Sequence, residues 1–194
     1  MKQSGSILFS GVGGQGILLA SELTAYAQLE AGFDVKKSEV HGMAQRGGSV
    51  VAHLRYGEKV YSPLIEPGKA DIQVAFEELE AARYLPFLHK DSAVVVNIQR
   101  ILPPAVATGK AAYPENILDE LRTRGIRVVA VDAFSVARDI GELRTANVVM
   151  VGAMSNFLSV SPQIFLDVID RKIREQFREV NKKAFTAGRD LVYS

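Results

Sequence analysis

Residues 6–20 read SILFSGVGGQGILLA, and this stretch is the strongest indication of the fold class. An apolar run from Ser6 to Ser10 is long enough for one buried strand. Apolar residues then recur at helical spacing from Ile17 to Ala27. Between the two lie four glycines within six residues, Gly11, Gly13, Gly14 and Gly16. A strand, a glycine turn and a helix in this order begin a Rossmann-like, doubly wound α/β domain.

The spacing of Gly11, Gly13 and Gly16 matches the G-x-G-x-x-G pattern of dinucleotide-binding loops. In that pattern the first glycine permits a tight turn, the second lets a ligand approach the backbone, and the third lets the helix pack close to the strand. Free N–H groups at the start of the helix also favour an anion. The spacing is unspecific by itself, because a tight turn that binds no nucleotide has the same glycines.

A dinucleotide site also needs an acidic residue about 20 residues further on, at the end of the second strand. Asp34 stands at the start of the candidate strand Phe33–Glu39, and Glu39 ends it at longer range. The two lysines between them, Lys36 and Lys37, suit a phosphate better than a ribose diol. The sequence therefore argues against NAD binding.

The rest of the chain predicts a mainly parallel sheet with helices around it. Further strands are expected near 50–56, 70–76, 92–98 and 126–132, and helices near 77–88, 114–124, 134–140 and 147–158. A turn at Gly57 and a return at Val60–Ser62 predict a hairpin inserted in this sheet or added to its edge. Ser161 followed by Pro162 predicts the start of a helical C-terminal end. We expect one domain over residues 1–194.

Composition limits the function further. The 194 residues carry a net charge of +1 with no basic tract, so nucleic acid is not an expected partner. The sequence has no cysteine, which excludes disulfides, cysteine-bound zinc and an iron–sulfur cluster held by this chain alone. It shows neither a signal peptide nor an apolar run near the ~20 residues of a membrane span, so we expect no membrane association and a cytoplasmic location.

The segment Ser38–Ser49 is the second glycine-rich stretch, and we predict an ordered binding loop at the end of the second strand. Arg46 beside Gly47 and Gly48 would form an anion clamp from a guanidinium and free backbone N–H groups. A structural crossover and a surface salt bridge are the alternatives. Glu39 and His41 have poor spacing for a metal site, and we predict none.

Other candidate chemistry is sparse. Asp71 and Asp132 flank predicted strands, and for Asp132 a cap of the following helix is the favoured interpretation. No serine lies in a nucleophile-elbow context, and no Walker lysine follows the glycine loop. We therefore predict no catalytic residue in this chain.

Several stretches together resemble the gamma-type domain of the 2-oxoacid:ferredoxin oxidoreductases, also called the pyruvate/ketoisovalerate oxidoreductase gamma domain. The similarity is greatest to the indolepyruvate branch of that family, whose small subunit is called beta. It runs essentially from end to end. The stretches are Gly11–Ile17, Ser38–Val50 (SEVHGMAQRGGSV), Tyr61–Ile65, Phe76–Pro86 and Val180–Phe185.

The resemblance implies a required but non-catalytic subunit. A large subunit is expected to hold thiamine diphosphate, Mg²⁺ and the iron–sulfur clusters, to decarboxylate an aryl pyruvate, to pass electrons to ferredoxin and to transfer the acyl group to coenzyme A. The resemblance further implies that two segments face that subunit or a cofactor, with these residues: Gly11, Gly13, Gly14, Gln15, Gly16, His41, Gly42, Met43, Gln45, Arg46, Gly47, Gly48 and Ser49.

Other functions remain open at this point. The gamma domain also serves pyruvate, oxoglutarate and branched-chain oxoacid enzymes. A free-standing nucleotide-binding module that uses the glycine loop is a different class of hypothesis. We expect the isolated chain to be inactive, and its exposed interface would let it form homodimers when the large subunit is missing.

Overall fold

A computed structural model describes residues 4–41 and 48–192 of the chain. Six strands form one sheet in the order β2-β3-β1-β4-β5-β6. Strands β1, β4, β5 and β6 are parallel, whereas β3 runs antiparallel to both β1 and β2. The strands span Gly5–Val12 (β1), Asp34–His41 (β2), Ser49–Gly57 (β3), Ala70–Ala75 (β4), Leu88–Asn97 (β5) and Arg127–Val131 (β6).

Helices cover both faces of the sheet, as a doubly wound fold requires. One face carries α1, α5, α6, α7 and α8, and the other carries α2 and α4. The helices span Ile17–Glu30 (α1), Glu78–Arg83 (α2), Pro104–Ala107 (α3), Ile117–Thr123 (α4), Ala133–Ile140 (α5), Ala146–Ser155 (α6), Pro162–Lys172 (α7) and Glu175–Asp190 (α8). The predicted Rossmann-like, mainly parallel sheet with a helical C-terminal end is confirmed.

The central strands are apolar at consecutive positions because both of their faces are covered. In β1, Ile7 and Phe9 point into the larger core beneath α1 and α6, while Leu8 points into the smaller core beneath α2 and α4. In β5, Val94 and Val95 divide between the two cores in the same way. The unbroken apolar runs in the sequence are therefore a direct consequence of the two helical layers.

Helix α6 lies at the centre of the larger layer, and all ten of its residues are buried. It packs against the sheet on one side and against α8 on the other. The two helices cross at glycines: a methyl group on Gly188 would overlap the carbonyl oxygen of Val149, and one on Gly152 would overlap that of Phe185. Glycine is required at both positions because the two backbones are in direct contact.

The hairpin in this sheet differs from the one that the sequence predicted. Strand β3 pairs with β2 over eight residues, from Asp34 opposite Gly57 to His41 opposite Val50. Residues 60–62 form no strand, and the Val60 N–H donates to Asp34 Oδ2 at 2.9 Å. The prediction of a return strand at residues 60–62 was wrong. Only these three residues lie between the turn and Pro63, and proline has no N–H to donate to a ladder. Strand β2, in contrast, pairs with β3 over eight residues.

The C-terminal helices begin as predicted but are interrupted. Ser161 caps α7 by accepting a hydrogen bond from the Gln163 N–H, with Pro162 at the first position. The apolar spacing from Ile164 to Ala184 is compatible with one continuous helix, yet Ile173 and Arg174 are extended and separate α7 from α8. The break lets both helices pack against the layer. Across the described ranges, no helix has the length and apolar character needed to span a bilayer.

Replacing Gly188 with alanine tests the contact between α6 and α8. Alanine is intrinsically the better helix former, by about 1 kcal/mol. Here we expect Gly188→Ala to lower the free energy of unfolding by about 1–3 kcal/mol, because the added methyl group forces the two backbones apart. Urea unfolding measures this change. Thr186→Ala, at an exposed position of the same helix, is the control and should change stability by less than about 0.5 kcal/mol. An unchanged stability of Gly188→Ala would contradict the contact.

Gln28 is an uncompensated polar side chain in the core. It is fully buried in α1, and neither its Nε2 nor its Oε1 atom has a hydrogen-bond partner among the described residues. Such a group costs about 1–3 kcal/mol, so we expect Gln28→Met, which keeps the volume, to raise the free energy of unfolding by about 1 kcal/mol. Gln176→Met, on the exposed surface of α8, should be neutral. A loss of stability in Gln28→Met would show that the amide has a partner.

Candidate functional site

The glycine loop lies at a topological switch point of the sheet. Strands β1 and β4 are parallel neighbours, but the chain leaves β1 for α1 on one face and leaves β4 for α2 on the other. Their carboxyl ends therefore diverge, and the crevice between them is the place where open α/β sheets bind ligands. The residues on its two sides are Gly11–Gly16 after β1 and Phe76 after β4.

The Gln15 side chain holds the glycine loop across this crevice. Its Oε1 atom accepts a hydrogen bond from the Val12 N–H at 2.8 Å, and its Nε2 atom donates to the Phe76 carbonyl at 2.9 Å and to Gln99 Oε1 at 3.1 Å. The Asn97 side chain extends the network, since its Nδ2 atom also donates to the Phe76 carbonyl. These amides tie the ends of β1, β4 and β5 together.

Two of the glycines are required by the protein's own side chains. A methyl group on Gly11 would lie within 2.9 Å of the side chains of Gln15, Phe76 and Ile17. One on Gly16 would lie 2.5 Å from Asn147 Nδ2, and Gly16 also has a φ of +77°, which strains any residue with a side chain. The groups that approach the backbone of Gly11 and Gly16 are therefore side chains of this protein, in the place where a dinucleotide fold has its ligand.

Some donors of the loop remain available to a ligand. The N–H groups of Val12 and Gly13 are already paired, with Gln15 Oε1 and with the Gly48 carbonyl. Those of Gly14, Gly16 and Ile17 have no acceptor among the described residues. They stand at the start of the 14-residue helix α1, whose dipole adds a partial positive charge. The loop therefore still offers an anion site.

A cleft of about 440 Å³ opens beside these donors. Its apolar walls come from Leu19, Phe76, Phe134, Leu143 and Met150, and its polar lining comes from the glycine loop, Asn97, Arg144 and Asn147. The side chain of Asn147 donates to the Gly16 carbonyl at 3.2 Å and so joins α6 to the loop. The cleft suits a ligand that has an apolar body and a negatively charged end.

Arg144 is a cation that lines this cleft, and Glu142 orients it. The guanidinium makes two hydrogen bonds to the carboxylate, at 2.9 and 2.7 Å, and lies over the ring of Phe177, 4.9 Å from its centre. These bonds lower the pKa of Glu142 to about 2, so the pair stays charged at neutral pH. The Arg144 side chain is 73% exposed, so the face of its guanidinium that points away from Glu142 is accessible to a ligand.

The second predicted segment returns to the sheet at the same edge. His41 ends β2 and Ser49 begins β3, and their strands pair there beside Gly11. The Gly48 carbonyl accepts the Gly13 N–H at 2.9 Å, so the described end of the segment contacts the glycine loop. The other predicted residues lie outside the described part of the chain: Gly42, Met43, Gln45, Arg46 and Gly47.

The acidic and basic residues of β2 do not contribute to this site in the way a dinucleotide needs. Because β3 lies between β1 and β2, β2 is about 10 Å from β1, two strand spacings away. Glu39 pairs with Lys37 at 2.5 Å, and Lys36 pairs with Asp34 near the start of β2, away from the glycine loop. Among the described residues, β2 therefore brings no acidic side chain beside the glycine loop for a ribose, and Lys36 lies too far along the strand to pair with a ligand of the loop.

The two aspartates that flank strands have structural contacts. Asp132 caps α5, since its Oδ1 atom accepts the Ser135 N–H at 3.0 Å, and the hydrogen bonds from Ser135 lower its pKa. This confirms the predicted cap. Asp71 lies at the amino-terminal end of β4 and accepts the Ser6 N–H at 2.9 Å. Within residues 4–41 and 48–192, no three His, Asp or Glu residues are grouped to hold a metal ion.

Sequence analysis missed the amides that support the loop. Asn97 ends an apolar strand, and Asn147 is the one strongly polar residue in the otherwise apolar and small sequence of α6. A lone amide inside a buried segment is costly unless it is hydrogen-bonded. A polar amide within an apolar segment was therefore the sequence signal that Asn97 and Asn147 have specific partners. Only the fold shows that both residues contact the glycine loop or its hydrogen-bond network.

Removing the Gln15 amide tests whether it holds the loop. We expect Gln15→Ala to accelerate hydrogen–deuterium exchange in residues 11–17 and to lower the free energy of unfolding by about 1–2 kcal/mol, because the variant loses three hydrogen bonds. Gln163→Ala, which alters an exposed glutamine on α7, is the control. Equal exchange in Gln15→Ala and the parent chain would contradict this role.

Known proteins are similar to this chain over nearly its whole length. The model of the pyruvate ferredoxin/flavodoxin oxidoreductase family matches residues 6–191. The chain is 41% identical to the indolepyruvate oxidoreductase subunit IorB of Archaeoglobus fulgidus and 40% identical to that of Thermococcus kodakarensis. These alignments cover 94% of this chain and 92% and 93% of the two relatives.

Solved structures show the same fold. A keto/oxoacid ferredoxin oxidoreductase gamma subunit from Geobacter sulfurreducens superimposes with a TM-score of 0.72 at 23% identity, over 97% of this chain and 98% of that one. A 2-oxoglutarate:ferredoxin oxidoreductase from Magnetococcus marinus superimposes with a TM-score of 0.78 at 21% identity, over 100% of this chain and 32% of that one. The resemblance read from the sequence is confirmed, and the chain belongs to the pyruvate ferredoxin/flavodoxin oxidoreductase family.

Proposed function

We propose that this chain is the small subunit of an indolepyruvate ferredoxin oxidoreductase. The complex would oxidatively decarboxylate an aryl pyruvate and transfer the acyl group to coenzyme A. One observation carries the choice of substrate. Identity is 36–41% to subunits named for indolepyruvate, but 25–28% to subunits of pyruvate and pyruvate/ketoisovalerate enzymes, over similar lengths. Pyruvate, oxoglutarate and branched-chain oxoacids are the alternative substrates.

The proposal assigns the electron-transfer chemistry to a large subunit. Thiamine diphosphate, Mg²⁺ and iron–sulfur clusters would be held there, and ferredoxin would be reduced through the complex. The sequence of this chain supports that division, because it contains no cysteine to ligate a cluster. We propose the cytoplasm as the compartment, and homodimers as the state of the chain when the large subunit is missing.

The carboxyl edge of the sheet has the character of a docking face. Large apolar side chains, each 37–54% exposed, lie in segments that follow β1, β5 and β6: Leu18, Ile98, Leu102, Phe134 and Leu143. Exposed apolar groups around a ligand cleft mark an interaction site. We propose that this edge binds the large subunit and faces its active site, so that the cleft is covered in the complex.

We further propose that the cleft receives coenzyme A. The N–H groups at the start of α1 and the Arg144 guanidinium match its phosphates, and the apolar walls of the cleft match its pantetheine arm. The 2-oxoglutarate enzyme of the same fold was solved with coenzyme A and succinyl-CoA bound. In this role the chain binds and orients the acyl acceptor and excludes water, and it contributes no group to the decarboxylation.

Co-expression with the large subunit tests the proposal. We expect the two chains to co-purify and to reduce a dye with indolepyruvate and coenzyme A, and we expect the activity to be lost when this chain is omitted. Turnover with pyruvate and oxoglutarate, measured in parallel, sets the substrate class. A large subunit that is fully active alone would refute the proposal. Nucleotide titration of the isolated chain would then test the binding-module alternative.

A charge placed on the docking face should block assembly. We expect Leu143→Asp to weaken binding of the large subunit at least tenfold, because an unpaired carboxylate would be buried in the interface. Leu64→Asp is the matched control: Leu64 is 55% exposed, against 52% for Leu143, but lies between β3 and β4 at the opposite edge of the sheet. Surface plasmon resonance gives both affinities, and equal affinities would place the interface elsewhere.

A further inference from the structure

The chain is held at two points where it returns from residues 42–47 to the sheet. The Gly48 carbonyl accepts the Gly13 N–H at 2.9 Å, which joins the return to the glycine loop. One residue later, the Ser49 hydroxyl donates to Glu80 Oε2 at 2.6 Å, which joins it to α2. The Tyr84 hydroxyl lies 3.2 Å from the same Ser49 oxygen. Two different elements therefore define the start of β3.

Glu80 is an unusual residue at this position, because an acidic residue is only 2% exposed there. A buried carboxylate is costly unless each oxygen is hydrogen-bonded. Its Oε1 atom accepts Arg83 Nε at 2.8 Å, and its Oε2 atom accepts the Ser49 hydroxyl. Bonds to a charged acceptor are about twice as strong as neutral ones and have a defined direction. Glu80 therefore fixes Ser49 more firmly than an apolar contact would.

The same short stretch also holds the glycine loop. The Phe76 carbonyl, just before α2, accepts the Gln15 amide at 2.9 Å. Glu77 caps α2 by accepting the N–H groups of Leu79 and Glu80. Three hydrogen bonds thus form a closed circuit of contacts. Gln15 in the glycine loop bonds to Phe76 before α2, Glu80 in α2 bonds to Ser49, and Gly48 beside Ser49 bonds back to Gly13 in the glycine loop. Through this circuit, α2 contacts both the glycine loop and the start of β3, which also pair directly with each other in the sheet.

We propose that Glu80 is a positioning residue for the coenzyme A site, and that it acts by holding Ser49 against α2. The inference rests on the proposed function, because it assigns the carboxyl edge to that co-substrate. Glu80 does not line the cleft, so its effect passes through Ser49 and Gly48 to the glycine loop. Losing the tie lets the start of β3 shift, and the anion site at the start of α1 then loses its fixed geometry.

The experiment compares variants in the assembled enzyme. We expect Glu80→Gln to raise the KM for coenzyme A at least fivefold, with kcat and the KM for indolepyruvate changed less than twofold. Ser49→Ala should raise the KM for coenzyme A by a similar factor, and Ser49→Thr, which keeps the hydroxyl, should restore it. The double variant Ser49→Ala/Glu80→Gln should be no worse than the more affected single variant, because one change removes and the other weakens the same hydrogen bond.

Glu78→Gln is the matched control. Glu78 is also buried on α2 and paired, to Arg100 Nε at 2.9 Å, but it does not contact Ser49. It should lower the melting temperature about as much as Glu80→Gln does and leave the KM for coenzyme A unchanged. The inference is overturned if both glutamate variants lose stability equally while neither changes this KM, or if only the KM for indolepyruvate rises. Failure of the proposed function would appear separately, as full activity of the large subunit without the wild-type chain.

Discussion

The backbones of α6 and α8 are in direct contact, and the packing of the larger helical layer follows from this contact. Gly152 and Gly188 remove the side chains that would separate the two helices. Only then does a helix with every residue buried fit between the sheet and the outer layer. Its first turn brings Asn147 against the carbonyl of Gly16. A packing requirement in the C-terminal half of the chain thus determines the shape of a loop near its start.

That dependence changes the meaning of the glycine pattern. In a dinucleotide fold the glycines make room for a pyrophosphate and for the helix. Here the space beside Gly11 and Gly16 is filled by Gln15, Phe76 and Asn147. The acidic residue at the end of β2 is also a strand further away, because β3 is inserted next to β1. What remains is a small anion site at the start of a helix, next to an apolar cleft, and this is consistent with part of a larger ligand that a second subunit completes.

Much of the fold could be predicted from the sequence because its signals are local. The strand–glycine–helix opening, the apolar central strands, the Asp132 cap and the Ser161 cap each depend on residues within a few positions of one another. The hairpin was misassigned for the opposite reason. Strand β3 has two possible partners, residues 60–62 and β2, and it pairs with β2 because that strand forms the longer ladder. The break at Ile173 was hidden because the apolar spacing continues across it.

In the candidate site, too, some features follow from local sequence and others from long-range contacts. Composition and contiguous motifs are enough to establish the fold class, the position of the glycine loop, the absence of cysteine ligands and the family resemblance. The contacts that support the loop, in contrast, are visible only in the folded chain. Each of four side chains makes a contact that spans between 21 and 131 residues of sequence: Gln15, Asn97, Asn147 and Glu80. No local pattern encodes those pairings, since a buried amide or carboxylate gains its role from the partner that satisfies it, and that partner is set by how the layers pack.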